Sequence, residues 1–556
     1  SNTNDLTANN FAASDVVKDS PTNNFAVLNP LDNYNTGATL SEGSLKWTIG
    51  VADGASRSTF VMTSGKWYME FLTNNDYIGV VSGKADITGV NGTQTVFYSQ
   101  DGQKRVNGTM SSYGATHADG DIIGIALNMD DEEVTFYKNN SSQGTISLTS
   151  VGNEGYSVSC ASGSGSTNAT ANFGQDSSFA GAKTAGNNAD GNDVGDFFYS
   201  PPSGFLALCS ANLPDPEIID GSEYFNTVLF TGASSATGIT GVGFSPDWIW
   251  LKSRSNSQDH YLIDTVRGGN SLLRANQNNA ERTDATWIDS FDSDGFTYNT
   301  NLITNTYTYV AWNWLAGTAF SNDASATSVG TIDSEGQVST KAGFSIIKYT
   351  GTGSAGTIAH GLEGVPELMI IKNLDGTHSW SGFYHHLMSG SAAASATDYM
   401  KLNGTNAVVD DSTIWNDTPP TSTVFSVGTA SNTGSSDDFI GYFFRGIDGY
   451  SKFGTYEGNA NNDGTFVYTG FRPAFLLVKS VDSTSGWLLV DDKRVGYNRD
   501  NEYVEVDNAN AEGTVNMFDL VSNGFKNRDR TADPNVAETY LYIAFASQPF
   551  KFANAR

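Results

Sequence analysis

The feature that most limits how this chain can fold is a short stretch that occurs three times. It reads GFSPDWIWLKS, GVPELMIIKN and GFRPAFLLVKS, starting at residues 243, 364 and 470. In each copy the glycine permits a sharp turn, the proline fixes the backbone and blocks strand pairing, and the aliphatic run has the composition of a strand. The prolines of the three copies lie 120 and 107 residues apart: Pro246, Pro366 and Pro473.

Further landmarks follow each stretch in the same order. YLIDTVRGG at 261 to 269 matches WLLVDDKRVG at 487 to 496, and the closing aromatic strands read YTYVAWNW, DFIGYFFR and YLYIAFAS. A period of about 110 residues is too long for a solenoid, whose repeats span about 20 to 50 residues. The sequence therefore predicts three related domains, each with its own core.

Two acid and base pairs belong to these landmarks: Asp264 with Arg267, and Asp491 with Arg494. We interpret each pair as a salt bridge that braces a turn. A catalytic role would require the pair in every copy, but the middle copy has FYHHLMSG at this place. The pairs and the three prolines are therefore predicted to be structural residues.

Composition indicates an all-β fold. The chain has 556 residues, enough for three or four domains at about 150 residues each. Its 59 glycines and its 12% of aromatic residues are typical of short strands joined by tight turns. We expect tandem antiparallel β-sandwich domains at 1–215, 216–325, 326–454 and 455–556.

The charge of the chain argues against two classes of partner. Sixty acidic and 30 basic residues give a net charge of -30, which repels nucleic acid phosphates and anionic lipid headgroups. No run approaches the roughly 18 apolar residues of a membrane span, and the N-terminus lacks a signal pattern. We expect a soluble chain that neither binds nucleic acid nor inserts into a membrane.

The first domain contains GKWYMEF from residue 65, a hairpin pattern in GDIIGIALNMDDEEVTFYKNN from residue 120, and ANFGQ from residue 171. In the hairpin the alternating Ile123, Ile125 and Leu127 predict one buried face. These stretches resemble the SPRY domain over roughly residues 40 to 180. The resemblance implies a bent sandwich of two antiparallel sheets that binds protein or peptide partners and is not an enzyme.

The end of the first domain raises two further questions. Pro214 and Pro216 restrict the backbone there and suit a boundary. An oxygen-rich run just before it could hold calcium, but it lacks the glutamate of an EF-hand loop, so an acidic turn is the preferred interpretation: Asp190, Asn192, Asp193 and Asp196. For Cys160 and Cys209, two reduced core cysteines are preferred over one disulfide.

The order of these units, the stretch SPTNNFAVLNPL at 20 to 31 and the ending QPFKFANAR resemble large tail-fibre-like proteins of tailed bacteriophages, particularly marine ones. The resemblance implies a protein on the virion surface that is assembled in the host cytoplasm. Its implied partners are other virion proteins and a host surface glycan or protein, and a homo-oligomer, preferably a trimer, is expected. Such proteins commonly carry a laminin-G-like sandwich upstream, so a start at Ser1 fits a fragment, a trimmed precursor or a tag scar.

Recognisable catalytic motifs are missing from the sequence. It contains no HExxH, CxxC, GxSxG or P-loop pattern, and adjacent His385 and His386 on a strand would face opposite sides. No catalytic residue, metal ligand or cofactor is predicted, with calcium as the open alternative. Two carboxylates about 5 to 9.5 Å apart would suffice for glycoside hydrolysis, and 60 acidic residues leave that alternative open as well.

Two tryptophans among small polar residues are the candidate ligand-binding residues: Trp380 in GTHSWSGFYHHL and Trp415 in STIWNDTPPTS. If exposed, such rings can stack on sugar faces. Weak sites repeated on a trimeric fibre would gain strength through avidity. The leading hypothesis is a non-enzymatic virion adhesion protein. The alternatives are a glycan-degrading tailspike-like enzyme and a purely architectural decoration protein of the capsid or tail.

Overall fold

The computed structural model describes residues 17–20, 22–34, 37–74, 76–83, 89–152, 155–163, 165–283, 286–384, 397–494, 498, 501–528 and 533–553. It divides the chain into two compact units, Ser1–Asp215 and Pro216–Arg556. The division falls at the pair of prolines, Pro214 and Pro216. The all-β fold is confirmed, because antiparallel sheets build both units and the two described α-helices have only four residues each: α1 (Ala324–Thr327) and α2 (Ser412–Trp415). No helix in the described ranges has the length and hydropathy needed to cross a membrane.

The first unit has two large sheets, whose strands are numbered along the chain. One sheet has the order β1 (Leu28–Tyr34), β4 (Gly54–Ser58), β13 (Tyr156–Ser162), β6 (Tyr77–Ser82), β7 (Thr95–Tyr98), β8 (Gln103–Val106), β9 (Thr109–Ser112). The other has the order β12 (Ser141–Ser147), β11 (Glu133–Lys138), β10 (Ile122–Asn128), β5 (Lys66–Asn74), β14 (Thr167–Asn172), β3 (Lys46–Ile49), β2 (Ala38–Ser41). The short β15 (Leu206–Ala207) adds to β5 in parallel.

The hairpin predicted in the first unit is present as β10 and β11, which pair in continuous antiparallel register. Ile123, Ile125 and Leu127 are fully buried, but the alternate residues of β10 are buried too, so this strand is covered on both faces and not on one as predicted. Cys160 and Cys209 are both buried and unpaired, in agreement with the preferred interpretation.

The acidic stretch before the boundary forms a turn around the Asp190 carboxylate. Its Oδ1 accepts hydrogen bonds from the backbone of Asn192 and Val194, at 2.8 and 3.0 Å. Its Oδ2 accepts from Ala207 N and Asn212 Nδ2, both at 2.8 Å. Both carboxylate oxygens therefore hold the turn together and tie it to β15.

The second unit contains three large sheets that share one strand order. We call their parts of the chain the first (216–317), second (318–447) and third (448–556) segments. In each segment the last strand of the large sheet before the repeated proline pairs with the closing strand, which pairs in turn with the strand that contains or follows the proline.

The strands of the large sheets follow in spatial order. The first segment has β16 (Phe225–Thr231), β23 (Thr308–Trp314), β18 (Trp248–Ser253), β19 (Tyr261–Asp264), β20 (Leu273–Arg274). The second has β24 (Thr318–Asn322), β25 (Ser334–Ser339), β26 (Phe344–Thr350), β33 (Asp438–Phe444), β28 (Leu368–Asn373), β29 (Ser381–Tyr384), β30 (Asp398–Lys401), β31 (Val409–Asp410). The third has β34 (Ser451–Glu457), β42 (Thr539–Pro549), β36 (Phe471–Ser480), β37 (Leu488–Asp491), β38 (Asn501–Glu505), β39 (Gly513–Val515).

Each segment also has a small second sheet. Its order is β17 (Thr237–Thr240), β22 (Gly295–Tyr298), β21 (Ile288–Asp292) in the first segment. It is β27 (Gly356–Ala359), β32 (Val424–Val427) in the second, and β35 (Phe466–Tyr468), β41 (Gly524–Asn527), β40 (Phe518–Val521) in the third.

The sheets place the segment borders differently from the sequence. The second large sheet already begins with β24 at Thr318, and the third begins with β34 at Ser451. The borders drawn from the sequence at 325/326 and 454/455 therefore fall inside α1 and inside β34.

The three prolines occupy the same topological place. In each segment, the residue two positions after the proline pairs across the sheet with an aromatic residue near the end of the closing strand. These pairs are Trp248 with Trp314, Leu368 with Phe444, and Phe475 with Phe545. In the third segment the proline is included in β36, between two shifts of register.

The core of the second unit differs from the prediction of one closed core per segment. Along the strand after each proline, alternate residues face opposite sides. In β18, Ile249 and Leu251 pack into a core within the first segment, whereas Trp248 and Trp250 join a cluster that all three segments build together. The same alternation occurs in β28 and β36. Each large sheet is thus buried on both faces, which explains its continuous apolar runs.

Candidate functional site

Ring nitrogens join the three segments in cyclic order. The residue just before β19, β29 and β37 places its ring against a main-chain carbonyl of another segment. Trp380 Nε1 donates to Arg274 O at 2.9 Å, and Trp487 Nε1 donates to Lys401 O at 3.0 Å. His260 holds the equivalent place, with Nε2 lying 3.0 Å from Glu505 O.

The exposure expected of the two candidate tryptophans is contradicted. Trp380 and Trp415 are both 0% exposed, so neither ring can stack on a sugar. The Trp415 indole turns inward and donates to Asp398 O at 3.1 Å. The small polar neighbours misled the prediction, because burying a large indole whose N–H has an acceptor is favourable whatever flanks it in sequence. His385 and His386 lie outside the described residues.

The Asp264 and Arg267 side chains form a buried ion pair, with the guanidinium 2.6 Å from the carboxylate. Tyr442 of the second segment also donates to this carboxylate, at 2.8 Å. Arg267 further contacts Glu281 at 3.0 Å, next in sequence to Arg282. The pair therefore braces its turn, contacts the neighbouring segment and holds the chain that leads to Arg282.

The equivalent pair in the third segment has the same design. Arg494 Nε lies 2.7 Å from Asp491 Oδ2, and both side chains are fully buried. Trp312 of the first segment donates to the same carboxylate oxygen at 3.1 Å. The carboxylate of each pair thus accepts a hydrogen bond from the closing strand of another segment.

A cavity of about 350 Å³ opens beside this network in the first segment. We call it the arginine pocket. Its lining combines two guanidinium groups, two aromatic rings, an amide and two leucines: Tyr261, Leu272, Arg274, Arg282, Trp287, Asn301 and Leu302.

The electrostatics of the arginine pocket favour a ligand rich in oxygen. The Arg282 guanidinium lies over the Trp287 ring, 5.0 Å from its centroid. Arg274 Nε lies 3.2 Å from the carboxylate of Asp259, which partly neutralises it. Burial raises the pKa of Tyr261, an effect that Asp259 reinforces and the two guanidinium groups oppose. Both arginines therefore act on the same small volume.

One donor in the pocket lining lacks an acceptor. Trp287 is 4% exposed, and its indole N–H has no hydrogen-bond partner among the described residues. Guanidinium groups bind carboxylate and phosphate oxygens in a planar, two-pronged geometry, and they stack on aromatic rings. The arrangement can therefore hold an acidic sugar or another group with anionic oxygens.

Trp380 and the Asp264–Arg267 pair, which the sequence singled out, do not line this pocket but contact residues that form it or lie next to it. Trp380 fixes the backbone of Arg274, and the Asp264 pair reaches Glu281 beside Arg282. The lining arginines lie in the stretch SLLRANQNNAER at 271 to 282, which matches none of the motifs that the sequence analysis considers. The sequence signal that could have found the pocket is the presence of two arginines close together in a strongly acidic chain. No group of three or more His, Cys, Asp or Glu side chains in the described ranges could hold a metal ion.

Comparisons with known proteins identify both units. The family model described as Domain of unknown function (DUF7483) matches residues 220–549, and the SPRY domain model matches residues 41–176. No curated protein sequence matches the chain.

Three solved structures are similar to part of the chain. The SPRY domain of human HERC1 is 17% identical and covers 26% of this chain and 96% of its own, with a TM-score of 0.23. The PSpry domain of TRIM65 is 15% identical and covers 27% and 92%, with a TM-score of 0.23. A human SPRY domain is 14% identical and covers 24% and 94%, with a TM-score of 0.21.

Proposed function

Because the chain belongs to the DUF7483 family and carries a SPRY domain ahead of the family region, we propose that it is a non-enzymatic binding protein of a virion surface. In this proposal it is a tail fibre or similar appendage of a tailed bacteriophage, and it adheres to a glycan on the bacterial surface. The phage assignment is supported by the resemblance of the units, their order and the flanking stretches to tail-fibre-like proteins. Homo-oligomerisation, preferably as a trimer, would multiply weak sites.

The observation that carries the proposal is the arginine pocket. Two guanidinium groups converge there with a buried tryptophan that has an unused N–H, in a chain whose net charge is -30. The negative charge of the chain as a whole would repel most polyanions. A basic cavity in such a chain therefore favours a ligand with only a few well-placed anionic oxygens. Acidic sugars of bacterial surface polysaccharides have this chemistry.

Binding of the full chain to immobilised acidic and neutral bacterial polysaccharides tests the proposal. We expect the acidic polysaccharides to bind, and Arg282→Gln to weaken their binding by about tenfold or more, because a charge-assisted contact is lost. Lys348→Gln is the matched control, since it removes one positive charge from a half-buried ion pair at the surface of another segment. Equal binding by wild type and Arg282→Gln would contradict the assignment of the site.

The same experiment separates the alternative functions. If the polysaccharide chains are shorter after incubation, the protein degrades glycans and the proposal of a non-enzymatic adhesion protein is wrong. Failure to bind any polysaccharide would favour an architectural role, in which the chain binds only other virion proteins. Labelling intact particles for electron microscopy then distinguishes a fibre from a capsid or tail decoration.

A further inference from the structure

The residue directly after the repeated proline differs among the three segments. In the first segment this residue is Asp247, whose Oδ2 accepts hydrogen bonds from Ala316 N and Gly317 N at 2.8 and 2.7 Å. Its Oδ1 accepts from the hydroxyl of Thr265 on the neighbouring strand, at 3.0 Å. The carboxylate therefore fills the space beyond the closing strand and caps the chain that leaves it.

The second segment has a similar carboxylate contact, and the third lacks it. Glu367 follows the second proline, and its Oε1 accepts from Gly446 N at 2.9 Å. The third proline is followed by Ala474, which cannot reach the departing chain. On the neighbouring strand of the third segment, Asp492 stands where the first segment has Thr265.

A cavity of about 320 Å³ lies at this place in the third segment. Four of its lining residues are the counterparts of the residues that meet around Asp247: Ala474, Asp492, Ser547 and Gln548. The first segment closes the cavity from the other side with a set of mostly polar side chains: Asp220, Ser222, Phe225, Asn226 and Thr227. Where the first segment has the Asp247 carboxylate, the third segment therefore has a polar cavity at its junction with the first.

Two of the lining residues each have one buried oxygen atom that has no hydrogen-bond partner in the described part of the chain. These atoms are Asp492 Oδ1 and Thr227 Oγ1, and Thr227 is only 4% exposed. Asp220, by contrast, uses its Oδ1 to accept from the backbone and hydroxyl of Ser222, at 2.9 and 2.6 Å. Buried polar atoms in proteins are nearly always paired, so these two residues offer a ligand one unused acceptor, on Asp492, and one unused hydroxyl, on Thr227.

The charges and size of the cavity select the ligand class. Two carboxylates, Asp220 and Asp492, are balanced by Arg472 and Lys493, so the lining has no net charge. Hydroxyl and amide side chains supply the rest of the polar lining, and the buried Phe225 ring offers an apolar surface to C–H groups. A volume of about 320 Å³ lies at the lower end of the range of small-molecule sites.

We propose that this cavity binds one uncharged sugar residue, with hydroxyl groups bonded to Asp492 and Thr227. A sugar hydroxyl donates to the carboxylate and a second one exchanges a hydrogen bond with the threonine. Burial raises the pKa of Asp492 to about 6, an effect opposed by Lys493 and Arg472 and reinforced by Asp491. At neutral pH the carboxylate is therefore ionised and acts as an acceptor.

Saturation-transfer NMR on the full chain tests this proposal, with glucose, galactose, mannose, N-acetylglucosamine and rhamnose as probes at millimolar concentration. At least one sugar is expected to bind. Asp492→Asn should weaken its binding by about tenfold, because a charge-assisted hydrogen bond becomes a neutral one. Asp417→Asn is the matched control, since Asp417 is exposed and does not line the cavity.

A second variant distinguishes a lost binding site from a misfolded protein. The double change Ala474→Asp with Asp492→Thr reproduces the Asp247 and Thr265 pair of the first segment, so it should fill the cavity and preserve the melting temperature while abolishing sugar binding. Binding that survives in this variant, or no signal from any of the five sugars with wild type, overturns the proposal. Arg282→Gln should leave sugar binding unchanged, which separates this cavity from the arginine pocket.

Discussion

Asp491 and Arg494 form the ion pair whose disruption should be most costly, because both side chains are fully buried. Asp491→Ala would leave the guanidinium buried without its carboxylate and remove the acceptor of Trp312. We expect the free energy of unfolding to fall by about 3 to 5 kcal/mol. Lys348→Ala, which breaks a half-buried ion pair with Asp438 at the surface, should cost about 1 kcal/mol or less. Urea denaturation of both variants measures the difference, and equal losses would contradict the prediction.

His260 should make the second unit sensitive to acid. Its Nδ1 accepts from Trp250 Nε1 at 3.0 Å, so the ring is neutral in the folded state, and burial places its pKa well below 6.5. The unfolded chain therefore binds the additional proton more readily, and the stability contributed by the neutral ring is lost as the pH falls below about 6.5. His360, whose pKa burial lowers to about 4, adds to the same trend.

His260→Gln isolates this contribution, because a glutamine amide offers a donor and an acceptor but does not titrate. We expect the melting temperature of wild type to fall more steeply than that of His260→Gln between pH 7 and pH 5. Thermal melts at a series of pH values check this expectation. Parallel curves for the two proteins would show that protonation of this ring is not coupled to folding.

At the scale of single elements, the ring that precedes β29 joins two segments. Trp380→Phe keeps most of the apolar ring but removes the donor to Arg274 O. Trp248→Phe is the matched control, because Trp248 is also buried and its N–H has no partner in the described residues. The Trp380 variant should lose about 1 kcal/mol more free energy of unfolding than the control, since Arg274 O loses its shorter hydrogen bond and keeps only the one from Gln277 N at 3.3 Å. Equal losses would mean that the hydrogen bond does not stabilise the junction.

The strands after the prolines show how far the sequence predicts the fold. Repetition and composition predicted these strands, their order along the chain and the turn before each of them. The apolar runs in β18 and β36 predicted strands that enter a core, but a run of letters does not say that a second face is covered or what covers it. The shared cluster therefore could not be predicted, because it depends on contacts between residues far apart in the chain, such as Trp248 with Tyr442, which are 194 positions apart.

The candidate sites were predictable only in part, for the same reason. Ala474 in place of an acid after the third proline is visible when the three stretches are aligned. What the alignment cannot give is the opposite wall, which Thr227 and its neighbours contribute from the start of the first segment. The arginine pocket was harder to predict, since its lining has no counterpart in the other segments that would make it stand out.

At the scale of the whole molecule, the shared cluster predicts that the second unit folds as one cooperative body. Each segment contributes the inner face of its large sheet to this cluster. In the third segment Phe475, Leu477 and Phe545 are at most 2% exposed there, and all three would face water in an isolated segment. Small single domains rarely expose a continuous apolar surface of that kind. A fragment of residues 448–556 should therefore lack a cooperative unfolding transition.

Calorimetry of two fragments tests this prediction. Residues 216–556 should unfold in one transition, with a calorimetric enthalpy close to the van't Hoff enthalpy, because the three segments lose their common core together. The fragment of residues 448–556, which contains every strand of the third large sheet, should show no heat absorption peak and should bind a dye for exposed apolar surface. A sharp peak near the melting temperature of the larger fragment would show that the inner faces are not needed for folding. In that case the cyclic hydrogen bonds of Trp380 and Trp487 would only dock segments that are already folded.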